Sequence, residues 1–176
     1  MTKKSLAIVF FLGISLCLFA MTNKPAKTNE KSSGQAAPKT VFHQFNLRGL
    51  DGQEKHNLGE LIAGNVAVIN IWATWCPPCR AEIPDLIEVY NQYKNKNVIV
   101  VGVSVDKDGT NVVKGFVREN NVTYPILLDD GSVSREFGVR GIPTTLFVNE
   151  EGKVVAKKVG YADKKYFSAQ IDKLLQ

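Results

Sequence analysis

Cys76 and Cys79 stand with two residues between them in Trp75-Cys76-Pro77-Pro78-Cys79-Arg80, and residue types at that spacing point directly to a reaction. Two cysteines so placed can close a small disulfide ring. The segment follows an apolar run and opens a stretch with helical spacing, and prolines are tolerated in a helix's first turn. Cys76 is therefore expected at a helix N-terminus, where unpaired backbone N–H groups and the helix dipole favour a thiolate. A lowered pKa makes it a competent nucleophile near neutral pH. Cys79, one turn further in, is expected to be more buried and to act as the resolving thiol. In a reductase, Cys76 attacks a substrate disulfide, and Cys79 then attacks Cys76 to release the reduced substrate. Two other readings compete. A structural zinc site needs two more ligands, and the remaining candidates, Cys17, His43 and His56, form no second CxxC or HxxxH pair. No metal is expected. A permanent structural disulfide also fits an exported protein, although a ring this small at a helix start is typically reactive.

The elements that must hold this pair are legible as periodicities. Val66 to Trp72 (VAVINIW) and Val98 to Val105 (VIVVGVSV) read as strands buried on both faces. Ala81, Ile83, Leu86, Ile87, Val89, Tyr90 and Tyr93 keep helical spacing to about Asn95. Val41 to Leu47 and Gln53 to Asn57 flank Asp51-Gly52 as a hairpin. Gly109 to Asn120 reads as a helix with Val112, Val113, Phe116 and Val117 as its apolar face, and Pro125 to Leu128 as a short strand. Val133 to Phe137 fits a short helix that stops at Gly138. Thr144 to Asn149 and Lys153 to Val159 pair across Glu151-Gly152. Asp163 caps a last helix in which Tyr166, Phe167, Ile171, Leu174 and Leu175 turn inward. Strands alternating with helices and ending in an antiparallel hairpin predict an α/β domain with a mixed central sheet flanked by helices.

Charge divides the chain. Of 22 basic and 17 acidic residues, six lysines and Glu30 fall in residues 1–40, which leaves sixteen of each sign and no net charge in residues 41–176. The body carries no electrostatic footprint for a polyanion, so no nucleic-acid partner is expected. Lys3 and Lys4 precede the uncharged run Leu6 to Met21, the pattern of an export signal. As a helix this run spans about 24 Å, close to the roughly 30 Å hydrocarbon thickness of a bilayer. Residues 1–21 are thus read as a signal peptide or membrane anchor in contact with the membrane. Cleavage after Ala20 places Leu18 at −3, and Leu16 ahead of Cys17 departs from a lipoprotein signal. Residues 22–40, rich in Lys, Ser, Thr, Asn, Ala and Pro, read as a flexible linker, and residues 41–176 as the folded domain.

A second motif, Val139-Arg140-Gly141-Ile142-Pro143-Thr144, puts a proline at the start of a strand, where a cis peptide bond can sit. Together with the Cys-Pro-Pro-Cys unit, it makes the chain resemble the thioredoxin superfamily, and closely its exported branch of thiol–disulfide oxidoreductases related to TlpA and ResA. The matching residues run from Asn70 to Pro84 and from Gly138 to Thr145. The resemblance implies a thioredoxin-like fold with an N-terminal β-hairpin and an inserted helix and strand, here Gly109 to Leu128. It implies Cys76 as the attacking thiol, Cys79 as the resolving thiol, and Pro143 as the cis-proline facing them. The Ile142 backbone, with Trp75 and Pro77, would meet an extended substrate segment, as a short β-augmentation. The partners implied are disulfide-containing exported proteins and a membrane thiol donor of the CcdA/DsbD type, with cytochrome c maturation as one setting. No cofactor is expected.

Two departures from the pattern matter. Thioredoxin has a buried aspartate where this chain has Asn70, which cannot take a proton. Glu82, three residues after Cys79, is the candidate to carry it, against the plainer reading of a partly exposed helix acid. ResA-type proteins carry Glu where this chain has Pro77, which weakens the case for a specific apocytochrome c substrate. A peroxidase is not expected, because residues 69–76 (INIWATWC) lack the Pro-x-x-x-Thr-x-x-Cys pattern. The same residues suit a reductase or a disulfide-introducing oxidase, the direction being set by reduction potential. A non-catalytic binding or chaperone domain is disfavoured by the intact cysteines and Gly-Ile-Pro.

Overall fold

The computed structural model describes residues 39–50, 54–107 and 109–176. The expected signal or anchor, Cys17, nearly all of the linker, and the Asp51-Gly52 turn lie outside the described residues. Seven strands form one sheet in the order β2-β1-β5-β4-β3-β6-β7. They are β1 (Asn46–Gly49), β2 (Lys55–Asn57), β3 (Val66–Trp72), β4 (Val98–Ser104), β5 (Ile126–Leu128), β6 (Thr144–Val148) and β7 (Val154–Val159). The centre, β3, β4 and β5, is parallel, whereas β6 runs antiparallel to β3, and β1 to β5. The helices are α1 (Leu58–Ile62), α2 (Pro77–Tyr93), α3 (Thr110–Glu119), α4 (Ser132–Glu136) and α5 (Lys164–Leu174). This is a thioredoxin-like α/β fold, and the inserted β5 carries the N-terminal hairpin on its outer edge.

Every residue of β3 is buried, because both faces of the sheet are covered. Strand alternation sorts them. Val66, Val68 and Trp72 face a core shared with α2 and α5 (Leu86, Val89, Phe167, Ile171). Ala67, Ile69 and Ile71 face the opposite core, with Phe42, Leu58 and Val133. Asn70, two residues from both Val68 and Trp72, must therefore point toward α2.

Several local expectations change. Val41–Gln44 is a 3-10 turn and not a strand, since Phe42 and Phe45 are both buried and a spacing of three cannot share one face of a strand. Helix α1 was not expected. Asn57 starts it by accepting the Glu60 N–H at 3.1 Å. In α2 the buried stripe is Cys79, Glu82, Ile83, Leu86, Val89 and Tyr93, with Ala81 exposed. In α3 only Val113 is fully buried, and Val112, about 100° around the helix from it, faces solvent. Leu175 lies past the end of α5 and is exposed. Asp163 caps α5 as expected, accepting the Tyr166 N–H at 2.8 Å. Among the described residues no helix is long and apolar enough to cross a membrane.

Candidate active site

Cys76 is the N-cap of α2, and Pro77 and Pro78 fill its first two positions, where no backbone N–H is needed. Cys76 and Cys79 are joined as a disulfide with Cα atoms 5.3 Å apart. The Cys79 N–H donates to the Cys76 sulfur at 3.3 Å, so the helix end aims a donor at the atom that would carry negative charge once reduced. Both cysteines are buried, Cys76 at 3% exposure and Cys79 at 0%.

The approach to Cys76 is pinned from β4. Asp106, just past β4, accepts the Thr74 N–H at 3.0 Å and the Thr74 hydroxyl, and also the Ser104 hydroxyl at 2.7 Å. The neighbouring Trp75 is 62% exposed. On the other side, the Ile142–Pro143 peptide is cis. The Ile142 carbonyl oxygen lies 3.7 Å from the Cys76 sulfur. This loop is held by Thr144, whose hydroxyl donates to the Gly141 carbonyl at 2.6 Å, and by Gly160, whose N–H donates to the Pro143 carbonyl at 2.8 Å. Pro77 is exposed at the rim.

Beneath the disulfide, Glu82 is fully buried, unlike the partly exposed acid of the plainer reading. Its Oε1 accepts from Asn70 Nδ2 at 2.7 Å and its Oε2 from the Ala162 N–H at 3.1 Å. Burial pushes its pKa up from 4.5 to about 7; the bonds from Asn70 and Ala162 and the charge of Lys158 offset part of that rise. Asn70 Nδ2 also donates to Thr145 Oγ1 at 3.0 Å, its direct partner across β3 and β6. The structure thus brings together Trp75, Cys76, Pro77, Cys79, Glu82, Ile142 and Pro143. Sequence reasoning missed the Asp106–Thr74 clamp and Thr145. The spacing of Cys79, Glu82, Leu86, Val89 and Tyr93 does mark Glu82 as inward-facing. Asp106 has no such signal, because its partner is 32 residues away.

The fold and a cysteine pair at a helix N-terminus define a thioredoxin-fold redox protein. The sequence model of the Redoxin family matches residues 32–175. The chain is 31% identical to the sporulation thiol-disulfide oxidoreductase A of Bacillus subtilis, over 91% of this chain and 92% of that protein. It is 33% identical to the thiol-disulfide oxidoreductase ResA of Halalkalibacterium halodurans, over 74% and 72%. A thiol:disulfide interchange protein of the thioredoxin family from Chlorobium tepidum superposes with a TM-score of 0.68 at 28% identity, covering 75% of this chain and 93% of that one. The chain belongs to the Redoxin family and is a thiol–disulfide oxidoreductase of the ResA type.

Proposed function

We propose that this protein reduces or exchanges disulfides in exported proteins on the outer side of the cytoplasmic membrane. The observation that carries the reading is the Cys76 sulfur, placed between the Cys79 N–H and the Ile142 carbonyl, with the buried Glu82 carboxyl one turn past Cys79. In the reduced state, the Cys76 thiolate attacks one sulfur of a substrate disulfide. The other substrate sulfur leaves and takes up a proton. Cys79 then gives its proton to ionised Glu82 and attacks the Cys76 sulfur. The second substrate sulfur leaves and takes up a proton, and the Cys76–Cys79 disulfide remains. Substrate is oxidant and enzyme reductant, two electrons per cycle. A membrane thiol donor of the CcdA/DsbD type restores the dithiol.

Trp75, Pro77, Ile142 and Pro143 form the substrate rim in this reading, with the Ile142 backbone pairing to an extended segment. The apolar, basic-flanked residues 1–21 support export or anchoring. Cytochrome c maturation is one setting for such a reductase, although Pro77, where ResA-type proteins carry Glu, weighs against a specific apocytochrome c substrate. Cys76→Ser is expected to abolish insulin-disulfide reduction, and Cys79→Ser to trap mixed disulfides; activity surviving in the first variant overturns the nucleophile assignment. The opposite direction, introducing disulfides, uses the same atoms. A reduction potential near about −270 mV supports the reductase, and one near about −120 mV the oxidase.

A further inference from the structure

The bonds around Asn70 and Glu82 fit only one of the two protonation states that the proposed cycle requires. Asn70 is 1% exposed, and its Nδ2 uses both hydrogens, on Glu82 Oε1 and on Thr145 Oγ1. Its Oδ1 is equally buried and has no partner among the described residues. Glu82 likewise faces two donors, Asn70 Nδ2 and the Ala162 N–H. Two donors suit a carboxylate. A carboxylic acid brings a hydrogen that needs an acceptor, and an unmade buried bond is costly. The Ala162 N–H cannot change its role. The Asn70 amide can, because a half-turn exchanges its oxygen and nitrogen at nearly constant shape, and a hydroxyl such as that of Thr145 can either accept or donate.

We propose that Asn70 is a positioning residue whose amide turns over with the protonation of Glu82, donating to the carboxylate and accepting from the carboxylic acid, while Thr145 reverses its role in step. The proposal rests on the reading of Glu82 as the holder of the Cys79 proton. Asn70 itself neither gains nor loses a proton. Turned, its Oδ1 accepts from both the Glu82 and Thr145 hydroxyls, and its nitrogen, with both hydrogens, takes the place now occupied by the oxygen, to which no described residue donates. An aspartate at this position would be a second acid, and a leucine would serve neither state. Thr145 lies two residues past Pro143, so the proton on Glu82 is registered in the strand that leads from the substrate loop. The other groups that act on Glu82 are Lys158 on β7, which favours the anion, Asp85 on α2, which opposes it, and the Tyr124 phenol, itself raised chiefly by burial and also by the Glu82 charge.

Isotope-labelled protein in the disulfide form, where neither active-site thiol titrates, isolates the effect. The Glu82 carboxyl carbon and the Asn70 side-chain amide are followed by NMR from pH 5 to pH 9. Nuclear Overhauser contacts from the Asn70 amide hydrogens to the Thr145 side chain are expected at pH 9 and lost at pH 5, with the midpoint of the Glu82 carboxyl. In Glu82→Gln, which is always neutral, the contacts are expected to be weak at every pH. Asn70→Leu removes the donor to the anion and the acceptor for the acid together, so it is expected to move the Glu82 midpoint by less than about 0.5 pH unit. Contacts that persist through the Glu82 transition overturn the turnover, as does a rise of about 1 pH unit in the Glu82 midpoint of Asn70→Leu, the mark of an amide that serves the anion alone. The proton-holding role is separable. If Glu82→Gln leaves the pH profile of mixed-disulfide resolution unchanged, that reading fails whatever the amide does.

Discussion

Replacing Glu82 by glutamine tests the buried carboxyl through stability alone. Glu82 is fully buried, and its pKa lies at about 7 in the fold against an ordinary value of 4.5. Between those values the native protein holds a proton that the unfolded chain has released. The stabilisation due to this proton is complete below about pH 4.5 and is lost as pH rises through about 7. The difference amounts to about 3 kcal/mol. Against the total stability of a small domain, about 5–15 kcal/mol, that is a large fraction. An amide at position 82 is neutral throughout and of similar shape, so it removes this slope. Urea denaturation of oxidised wild type and Glu82→Gln at pH 4, 5.5, 7 and 8.5 reads the difference directly, provided the two share one m value. Relative to wild type, the variant is expected to gain about 3 kcal/mol between pH 4 and pH 8.5. Parallel stability curves over that range would refute the reasoning, because they would mean that the carboxyl ionises in the fold as easily as in the unfolded chain.

Other substitutions probe the frame around the site. Gly102→Ala puts a methyl group against the Ile126 side chain, 3.0 Å from Trp72 Nε1 and 3.3 Å from Tyr124 Cε2; thermal or urea unfolding should show a loss of about 1–3 kcal/mol. Asp106→Ala strips the Thr74 N–H, the Thr74 hydroxyl and the Ser104 hydroxyl of their acceptor, and is expected to cost about 2 kcal/mol. In the reduced protein it should also change the rate of Cys76 alkylation, and an unchanged rate would mean that the clamp does not set the cysteine turn. Trp75→Ala, at an exposed position, should leave stability within about 0.5 kcal/mol of wild type. If Trp75 anchors substrate, it lowers the rate of insulin reduction about tenfold, and undiminished turnover would remove it from the substrate rim.

Local and periodic information carried much of this protein. The runs 66–72 and 98–105 contain enough β-branched residues to read as buried strands without any knowledge of their neighbours. The Cys-Pro-Pro-Cys unit announced both its chemistry and its place at a helix start, since capping and proline tolerance are decided within one turn. Even the burial of Glu82 was within reach, because it shares the helical stripe of Cys79, Leu86 and Val89. The short elements were less legible. Val41–Gln44 and α1 have four and five residues, too few to show a period, and the packing of Phe42, Phe45 and Leu58 into one core shapes them. What only tertiary structure decided is what each buried polar group meets. The partners of Asn70 are 12 and 75 positions away, and Ala162 is 80 from Glu82. The sheet register that sets Asn70 opposite Thr145, and the return of the chain after β7 over α2, create that desolvated cluster. Desolvation moves a pKa according to surroundings and not residue type, so the carboxyl's identity is written in the chain, while its proton affinity belongs to the fold.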